Sequence, residues 1–490
     1  MNINELCNSN EMKVDIKRTD IISQEDLISA RTLSFKDKNL ISDKLYHGIA
    51  KHFKIKKYKY PTLYNVKRLR KQTDAWTKNF KNQYGVYVDA KAKLFRILNE
   101  MGETKTGKHT LRNLKMRRVR IKLTGDSGNV GRYLKLLNFT FAAIDFQGSQ
   151  SFTGNYTLGI FEMKEESYDE LKVGLKEILL SLENVNSIEI NGKMYKIEFY
   201  LGGDLKFLAN MMGINGANAN YPCVSCTCHL KDFPHFQTKA WSIKDTHLGA
   251  RSLEESLNCC GKKSIDERKG YLREPIIKFI KNEKIIVDLL HVCLRISDKL
   301  FEHLLRDIET LDGEFKVDIN ENINFCVLVK FLQNECKLKN PYFIKDGKVT
   351  LKSWDVQKRL LVLSKINLAD LFPQLEDNHL KTKLLYDFYT IHTLIRDNLL
   401  NSLEISYATK KFMKDYVNFY PLKSITPYLH YFSSHLSEFR KLHGDFNVFN
   451  QQGLEKLNDV TTKQTMRSTN HHADYLNQLL KKRNRLDHFK

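Results

Sequence analysis

The stretch "KIEFYLGGDLKFLA" (196–209) constrains the fold most, because it joins a buried strand to a helix through an aspartate. Apolar residues alternate up to Gly202 and Gly203, which is typical of a strand, and Asp204 stands where a helix begins. A carboxylate at this position either caps the helix or belongs to a metal site. The choice depends on whether other carboxylates join it.

The chain upstream supplies the other elements of such a sheet. Periodicity predicts three strands, a helix, the strand ending at Asp204, and a short helix that closes on Gly213. In order, these are "MRRVRIKLTGD" (116–126), "KLLNFTFAAID" (135–145), "YTLGIFEMK" (156–164), "SYDELKVGLKEILLSLENV" (167–185), "SIEINGKMYKIEFYLGGD" (187–204) and "DLKFLANMMG" (204–213). This is the order of an RNase H-like fold, in which the first strand carries an aspartate, here Asp126 in Gly125-Asp126.

The remaining chain is mostly helical by pattern. We expect an α/β RNase H-like core, a mixed sheet with helices, interrupted by a large all-α insertion and preceded by a basic helical region. The expected segments are 1–40 (polar and flexible), 41–114 (helical, basic, DNA binding or dimerisation), 115–228 (first part of the core), 229–425 (helical insertion) and 426–490 (histidine segment and last helix of the core).

Positive charge dominates the chain, with a formal net charge of +22. It clusters in "KHFKIKKYKYPTLYNVKRLRK" (51–71), "RNLKMRRVRIK" (112–122) and "KKRNR" (481–485), which favours a nucleic-acid partner over a bias of composition. No 18-residue apolar span is present, so we expect an intracellular protein without a membrane partner. The DNA-binding candidates are Lys54, Lys56, Lys57, Lys67, Arg68, Arg70, Arg117 and Arg118.

Three cysteines crowd into "CVSCTC" (223–228), and in an intracellular protein such grouping suggests a metal more than disulfides. Cys223 and Cys226 have zinc-ligand spacing. The residues that complete the site stay open at this point. Nearby candidates are Cys228, His229, His235, Cys259 and Cys260.

Three segments together resemble one family, the catalytic core shared by the vertebrate V(D)J recombination-activating recombinase and the Transib transposases. They are "VRIKLTGDSGNVGRYLKLLNFTFAAID", "MYKIEFYLGGDLKFLANMMGINGANANYPCVSCTC" and "ITPYLHYFSSHLSEFRKLHGDFNVFNQQGLEKLND". The chain is most similar to uncharacterised invertebrate relatives that share the Gly-Gly-Asp and C-x-x-C block. The resemblance covers roughly 115–475 and rests on the order of the blocks.

The resemblance implies a catalytic triad of carboxylates that binds two Mg²⁺ or Mn²⁺ ions. Residue by residue, the triad falls on Asp126, Asp204 and Glu455. The hard oxygen ligands suit these metals, which activate an attacking oxygen and stabilise the leaving one. Each carboxylate also has a structural interpretation: Asp126 as a turn residue, Asp204 as a helix cap and Glu455 as an anion in the first turn of a helix.

The resemblance also pairs the two cysteines with distant histidines, supplied here by His430 and His435 in "HYFSSH". Their separation of five positions predicts a helix end or distortion between them. Such a structural Zn²⁺ would brace the insertion. His291, in "DLLHVCLRIS", and Arg467 are further candidates near the active site, and a core histidine is the alternative for the former.

We therefore expect a DDE-type DNA transposase or recombinase that cleaves and joins DNA phosphodiesters as a nuclear homodimer, and an accessory protein of unknown identity is a further candidate partner. One alternative is a domesticated DNA-binding derivative without catalytic activity. Others are an RNase H-like nuclease for RNA or hybrids, and a zinc-dependent interaction scaffold.

Overall fold

The computed structural model describes residues 24–55, 61–313, 315, 321–345, 348–469 and 474–488. The chain divides into a first unit, Met1–Tyr200 with Gln452–Lys490, and a second unit, Leu201–Gln451. The first unit is therefore discontinuous in sequence, and the second is one segment between its two parts. The five segments expected from the sequence form a finer division, which stays a prediction.

The fold is mixed α/β, with an eight-stranded sheet. Its strands are β1 (Asn79–Lys81), β2 (Gly85–Val88), β3 (Arg118–Val130), β4 (Leu134–Ala143), β5 (Tyr156–Glu162), β6 (Ser187–Ile190), β7 (Lys193–Gly203) and β8 (Ile285–Val287). The order is β1-β2-β5-β4-β3-β7-β6, with β8 paired to β7 off this path. The first strand of the predicted core, β3, thus lies between its hairpin partner and β7, which is compatible with an RNase H-like core.

The β3–β4 hairpin forms the middle of the sheet. Its register runs from Ile121 opposite Ala143 to Val130 opposite Leu134. We expected the first strand to end at Asp126, and this is wrong, because the residues after it keep pairing with the apolar start of β4. Asp126 therefore lies inside the hairpin, opposite Asn138.

The N-terminal region is helical as predicted, except for two short strands. β1 and β2 form a hairpin that adds to the sheet beside β5. Gly85 is required there, since a Cβ would lie 2.2 Å from the Ile160 carbonyl oxygen. Strands of three and four residues are too short for their alternation to be recognised in sequence.

Eight helices described in the first unit cover the sheet or precede it. Ser167 caps the sixth by accepting a hydrogen bond from the Glu170 amide, as its sequence predicts. The eight helices are α1 (Gln24–Lys38), α2 (Asp43–Ile55), α3 (Leu63–Ala75), α4 (Ala90–Glu103), α5 (Lys105–Asn113), α6 (Tyr168–Glu183), α18 (Gln452–Ser468) and α19 (Tyr475–His488). Helices α7–α17 belong to the second unit.

The last helix, α19, is buried in spite of its basic sequence. Lys482, Arg483 and Arg485 are all buried, so "KKRNR" does not form the exposed basic cluster that its composition suggested. Arg485 Nε donates to Asp37 Oδ2 at 2.7 Å, and its second guanidinium nitrogen donates to Asp74. This segment therefore forms buried ion pairs inside the first unit.

The second unit is mainly helical. The last three residues of β7 pair in parallel with β8, so that Gly203 lies opposite Val287. Its helices are α7 (Leu205–Met211), α8 (Leu253–Cys259), α9 (Ile265–Arg268), α10 (Leu289–Asp312), α11 (Ile323–Asn334), α12 (Val356–Lys365), α13 (Leu368–Leu371), α14 (Asn378–Arg396), α15 (Ser402–Phe419), α16 (Pro427–Ser434) and α17 (Leu436–His443), and it contains the hairpin β9 (Tyr342–Lys345) and β10 (Lys348–Leu351).

Candidate metal centre and predicted carboxylates

Four buried side chains of the second unit meet in one group, Cys223, Cys226, His430 and His435. The cysteines lie in the loop after α7, and His430 lies on α16. His435 occupies the junction at which α16 ends and α17 begins, which agrees with the helix end that the five-residue spacing predicted. The ligand atoms all lie within 4.8 Å of one another.

The geometry of the group fits a tetrahedral zinc ion. The Cys226 sulfur lies 3.3 Å from His430 Nε2 and 3.2 Å from His435 Nε2, and the Cys223 sulfur lies 3.5 Å from His435 Nε2. Zinc bonds of about 2.3 Å to sulfur and 2.0–2.1 Å to nitrogen separate ligand atoms by about 3.3–3.8 Å on a tetrahedron. Two sulfurs and two imidazoles can therefore hold a zinc ion here.

Burial alone opposes charge in this group. It raises the pKa of the Cys226 thiol and lowers the pKa of the His430 imidazole. A bound cation reverses this penalty for the thiol, because a coordinating thiol is deprotonated by the metal. The chemistry of the donor set thus suits a closed structural site, which leaves no open position for a reactant.

The cysteine loop is held by a buried arginine. Arg251 donates to the carbonyl oxygens of Cys223 at 2.8 Å and Tyr221 at 3.1 Å, and its guanidinium stacks on Tyr271. The Ser225 amide donates to the Cys223 sulfur at 3.4 Å. These contacts orient the sulfurs before any metal binds, and the sequence carried no motif for the arginine.

The nearby ligand candidates do not join the four. The Cys228 thiol, although buried, donates to the backbone carbonyl of His229. Across the part of the chain that the structure describes, no second group of three or more Cys, His, Asp or Glu residues has its ligand atoms as close. The structure thus brings together the distant histidines, and the predicted catalytic carboxylates do not form a cluster of this kind.

Asp204 caps α7 in the second unit. Its Oδ1 accepts a hydrogen bond from the Phe207 amide at 2.7 Å, so the capping interpretation holds for this oxygen. The Leu205 amide donates a hydrogen bond to the hydroxyl oxygen of Tyr428 at 3.3 Å. Burial, with the nearby Asp204 charge, raises the pKa of Tyr428.

A second aspartate, Asp288, follows β8 as Asp204 follows β7. Because Gly203 and Val287 are paired in parallel, the two aspartates come at equivalent strand ends. Asp288 is 2% exposed, and its two oxygens contact the Gln451 amide at 3.3 Å and His291 Nδ1 at 3.1 Å. We did not single out Asp288 in the sequence, although "IIVD" before a helix repeats the pattern of "YLGGD".

In the first unit, Asp126 is bound to helix α18. The Asn458 side-chain amide donates to Asp126 Oδ2 at 2.6 Å, and the Asn138 amide donates to Asn458 Oδ1 at 2.6 Å. Glu455 lies three residues before Asn458, in the first turn of α18 as predicted, and residues three apart share a helix face. Asn458, which the sequence did not single out, thus links the strand of Asp126 to the helix of Glu455.

The DNA-binding candidates on α3 are engaged in ion pairs with neighbouring helices. Arg68 pairs with Asp26, while Arg70 and Lys67 pair with Asp43. Burial alone would raise the pKa of Asp43, but hydrogen bonds from Arg70 and Lys36 outweigh it and lower that pKa to about 2. These cations therefore stabilise the helical region in addition to any role at a surface.

The other candidates differ in their surroundings. Arg117 is exposed, whereas Arg118 pairs with Glu198 at 3.1 Å. Arg467 is exposed near the end of α18. Lys56 and Lys57 lie outside the described residues, as does the side chain of Lys54.

No model of a known protein family matches the chain, and no curated protein matches it. Among the helices described, none combines the length and apolar character that crossing a membrane requires.

Proposed function

We propose that the chain is the core of a DDE-type DNA transposase or recombinase, with an RNase H-like fold and a zinc-braced helical insertion. The proposed metal-binding carboxylates are Asp126, Asp204 and Glu455. The proposed partner is DNA, and the resemblance of the sequence adds a homodimer in the nucleus.

The observation that carries the proposal is the link between β3 and α18 in the first unit. Asn458 bonds to Asp126 on one turn of the helix, and Glu455 occupies the adjoining turn of the same face. Asp126 and Glu455 are more than 300 residues apart in sequence, yet the strand of one and the helix of the other contact each other through Asn458. This supports the proposal, because two acidic groups on adjoining elements can share divalent cations but cannot form an ion pair with each other.

When bound, two divalent ions would supply an activated attacking oxygen and charge stabilisation at the leaving oxygen of a phosphodiester. The side chains of this protein would orient the reactants. Asn458 fixes one oxygen of Asp126 by donating a hydrogen bond to it. Asp288 holds Nδ1 of His291, which orients the imidazole of that residue.

The zinc site supports an architectural part of the proposal. Its cysteines follow the start of the second unit, and its histidines precede the end of that unit. A zinc ion would therefore join the two ends of the segment 201–451. It would act on catalysis only through the position of the elements that carry the carboxylates.

The test is Mn²⁺-dependent nicking of supercoiled plasmid by wild type and by Asp126→Asn, Asp204→Asn and Glu455→Gln. The matched control is Asp459→Asn, which changes an exposed carboxylate one turn beyond Glu455. We expect the three variants to lose at least about a hundredfold in rate, since each removes a metal ligand, and the control to retain activity. Equal nicking by wild type and all three variants would refute the carboxylate assignment.

The same assay separates the rival functions. DNA binding by wild type without nicking or strand transfer in Mn²⁺ would favour the domesticated DNA-binding protein. Cleavage of a matched RNA–DNA hybrid but not of duplex DNA would favour the hybrid nuclease.

A further inference from the structure

The turn that closes the β3–β4 hairpin carries the most exposed large hydrophobic side chain among the described residues. Gly131, Arg132 and Tyr133 form this turn between Val130 and Leu134. Gly131 has a φ of +70°, which explains a glycine at this position. Tyr133 is 96% exposed. A solvated aromatic ring on a turn contributes no core packing and is accessible to a partner, and its neighbours indicate which kind of partner it suits.

Helix α18 runs beside this hairpin in the same unit. A Cβ on Gly128 would lie 3.4 Å from Asn458 Cβ, and a Cβ on Gly131 would lie 3.7 Å from the methyl carbon of Met466. Asn458 and Met466 are eight residues apart on α18, so the helix runs alongside β3 as far as the turn. The half-exposed Met466 is brought next to the turn that bears Tyr133.

The surroundings of these apolar side chains are basic. Arg132 is exposed next to Tyr133, and Arg467 is exposed next to Met466. Lys463, one turn earlier on α18, is exposed too. The acidic neighbour on this helix, Asp459, lies near Lys456, with 4.0 Å between the charged atoms. Exposed aromatic and apolar side chains among cations fit a nucleic acid, whose bases stack and whose phosphates are anionic.

We propose that Tyr133, supported by Met466, stacks against an unpaired or unstacked base of bound DNA. The inference rests on the proposed function, because it places this contact on the same hairpin and helix as Asp126 and Glu455. Eleven residues of helix separate Glu455 from Met466, which is about 17 Å. For a DNA strand that runs along α18 with about 3.4 Å per base step, the stacked base lies about five nucleotides from Glu455.

The test uses a DNA duplex with a short single-stranded gap, in which one adenine at a time is replaced by 2-aminopurine. The proteins are wild type, Tyr133→Ala, Tyr133→Phe and the control Tyr407→Ala, which removes a tyrosine 74% exposed on α15 and outside the three basic clusters. Thermal melts establish that the variants fold, which is expected for a turn residue without buried contacts. Binding is measured in Ca²⁺, so that cleavage is not required.

Wild type, Tyr133→Phe and Tyr407→Ala are expected to change the fluorescence of the probe at one or two neighbouring positions. Tyr133→Ala is expected to abolish this change and to weaken binding five- to hundredfold, the loss typical of a deleted stacking partner. An unchanged signal and affinity in Tyr133→Ala would overturn the inference, as would absence of DNA binding by wild type.

Failure here is distinguishable from failure of the proposed function. Nicking that depends on the three carboxylates, with no effect of Tyr133→Ala on the probe, would leave the catalytic proposal intact and refute the stacking contact. A Tyr133-dependent signal without Mn²⁺-dependent nicking would support the stacking contact and refute catalysis by this chain.

Discussion

At the scale of single residues, the environment decides what each cysteine and histidine does. Cys226 and Cys228 are two positions apart and both buried, yet only Cys226 faces two imidazoles. Cys228 contacts a backbone carbonyl. Sequence spacing alone therefore left the ligand set open between local and distant residues, and the chain path decided between them.

We predict that wild type binds about one zinc ion per chain and that His430→Ala loses it, because three ligands hold zinc far less tightly than four in a closed site. Cys228→Ala is the matched control and is expected to retain the metal. Metal content is measured by elemental analysis after dialysis against a weak chelator. Zinc retained by His430→Ala and lost by Cys228→Ala would establish a local site instead.

Among whole elements, the C-terminal helix α19 shows a basic segment used inside the protein. Arg485→Ala removes the buried cation shared by Asp37 and Asp74 and leaves Asp37 only Lys482, 4.0 Å away, so we expect a loss of about 3–5 kcal/mol in the free energy of unfolding. Lys481→Ala, on the same helix but only half-buried, is expected to change it by less than about 1 kcal/mol. Urea unfolding of both variants measures the difference in stability. Equal losses in the two variants would contradict a stabilising role for the buried ion pairs of Arg485.

Helix α14 supplies a pH-dependent contribution to the second unit. Burial, with the nearby Arg396 charge, lowers the pKa of His392 to about 4 from its ordinary value of 6.5. Between these values the unfolded chain binds the proton and the folded chain does not, so stability falls as the pH falls from about 6.5 to about 4. This residue accounts for at most about 3 kcal/mol of that loss.

The measurement is urea unfolding at pH 7, 5.5 and 4.5. His392→Leu is expected to flatten the pH dependence whatever its stability at pH 7. His379→Leu, an exposed histidine at the start of the same helix, is expected to leave the slope unchanged. A slope that persists in His392→Leu would assign the effect to other groups, such as His303, whose pKa burial also lowers to about 4.

Helices and strands whose pattern extends over many residues were predictable from the sequence, but the residues that pair with them were not. Alternation over ten residues located β4, and the Ser167 cap located α6. The alternation could not show that β3 passes Asp126, because pairing with β4 sets that end. Nor could composition show that Arg485 is buried, since its partner Asp37 lies 448 residues away. Long-range pairing thus determined what local pattern left open.

At the scale of the whole molecule, a zinc ion in the group of two cysteines and two histidines would close a very long loop. Cys226 and His430 are 204 residues apart in sequence. The loop-closure relation for a covalent cross-link gives about 5 kcal/mol for a loop of this length, and a four-ligand metal acts in the same sense. Zinc binding to the predicted ligands would therefore stabilise the folded second unit, because one site would join the two ends of that unit.

The net charge of +22 also belongs to the whole molecule, but only its exposed part can meet DNA. Each cation that contacts a phosphate contributes about 0.9 to the slope of log affinity against log salt concentration. We expect Arg117→Ala, which removes an exposed cation, to reduce that slope by about this amount. Arg68→Ala is expected to reduce it less, because the guanidinium of Arg68 is paired with Asp26.

Fluorescence anisotropy with a labelled duplex between 50 and 300 mM salt, roughly the range in which such slopes are linear, measures both variants. The control is Lys244→Ala, a lysine of the second unit outside the three basic clusters. Equal slopes for wild type and Arg117→Ala would remove the segment 112–122 from the DNA surface. An affinity that does not fall with salt in wild type would show that the excess of positive charge serves solubility, and the scaffold alternative would then be favoured over the transposase.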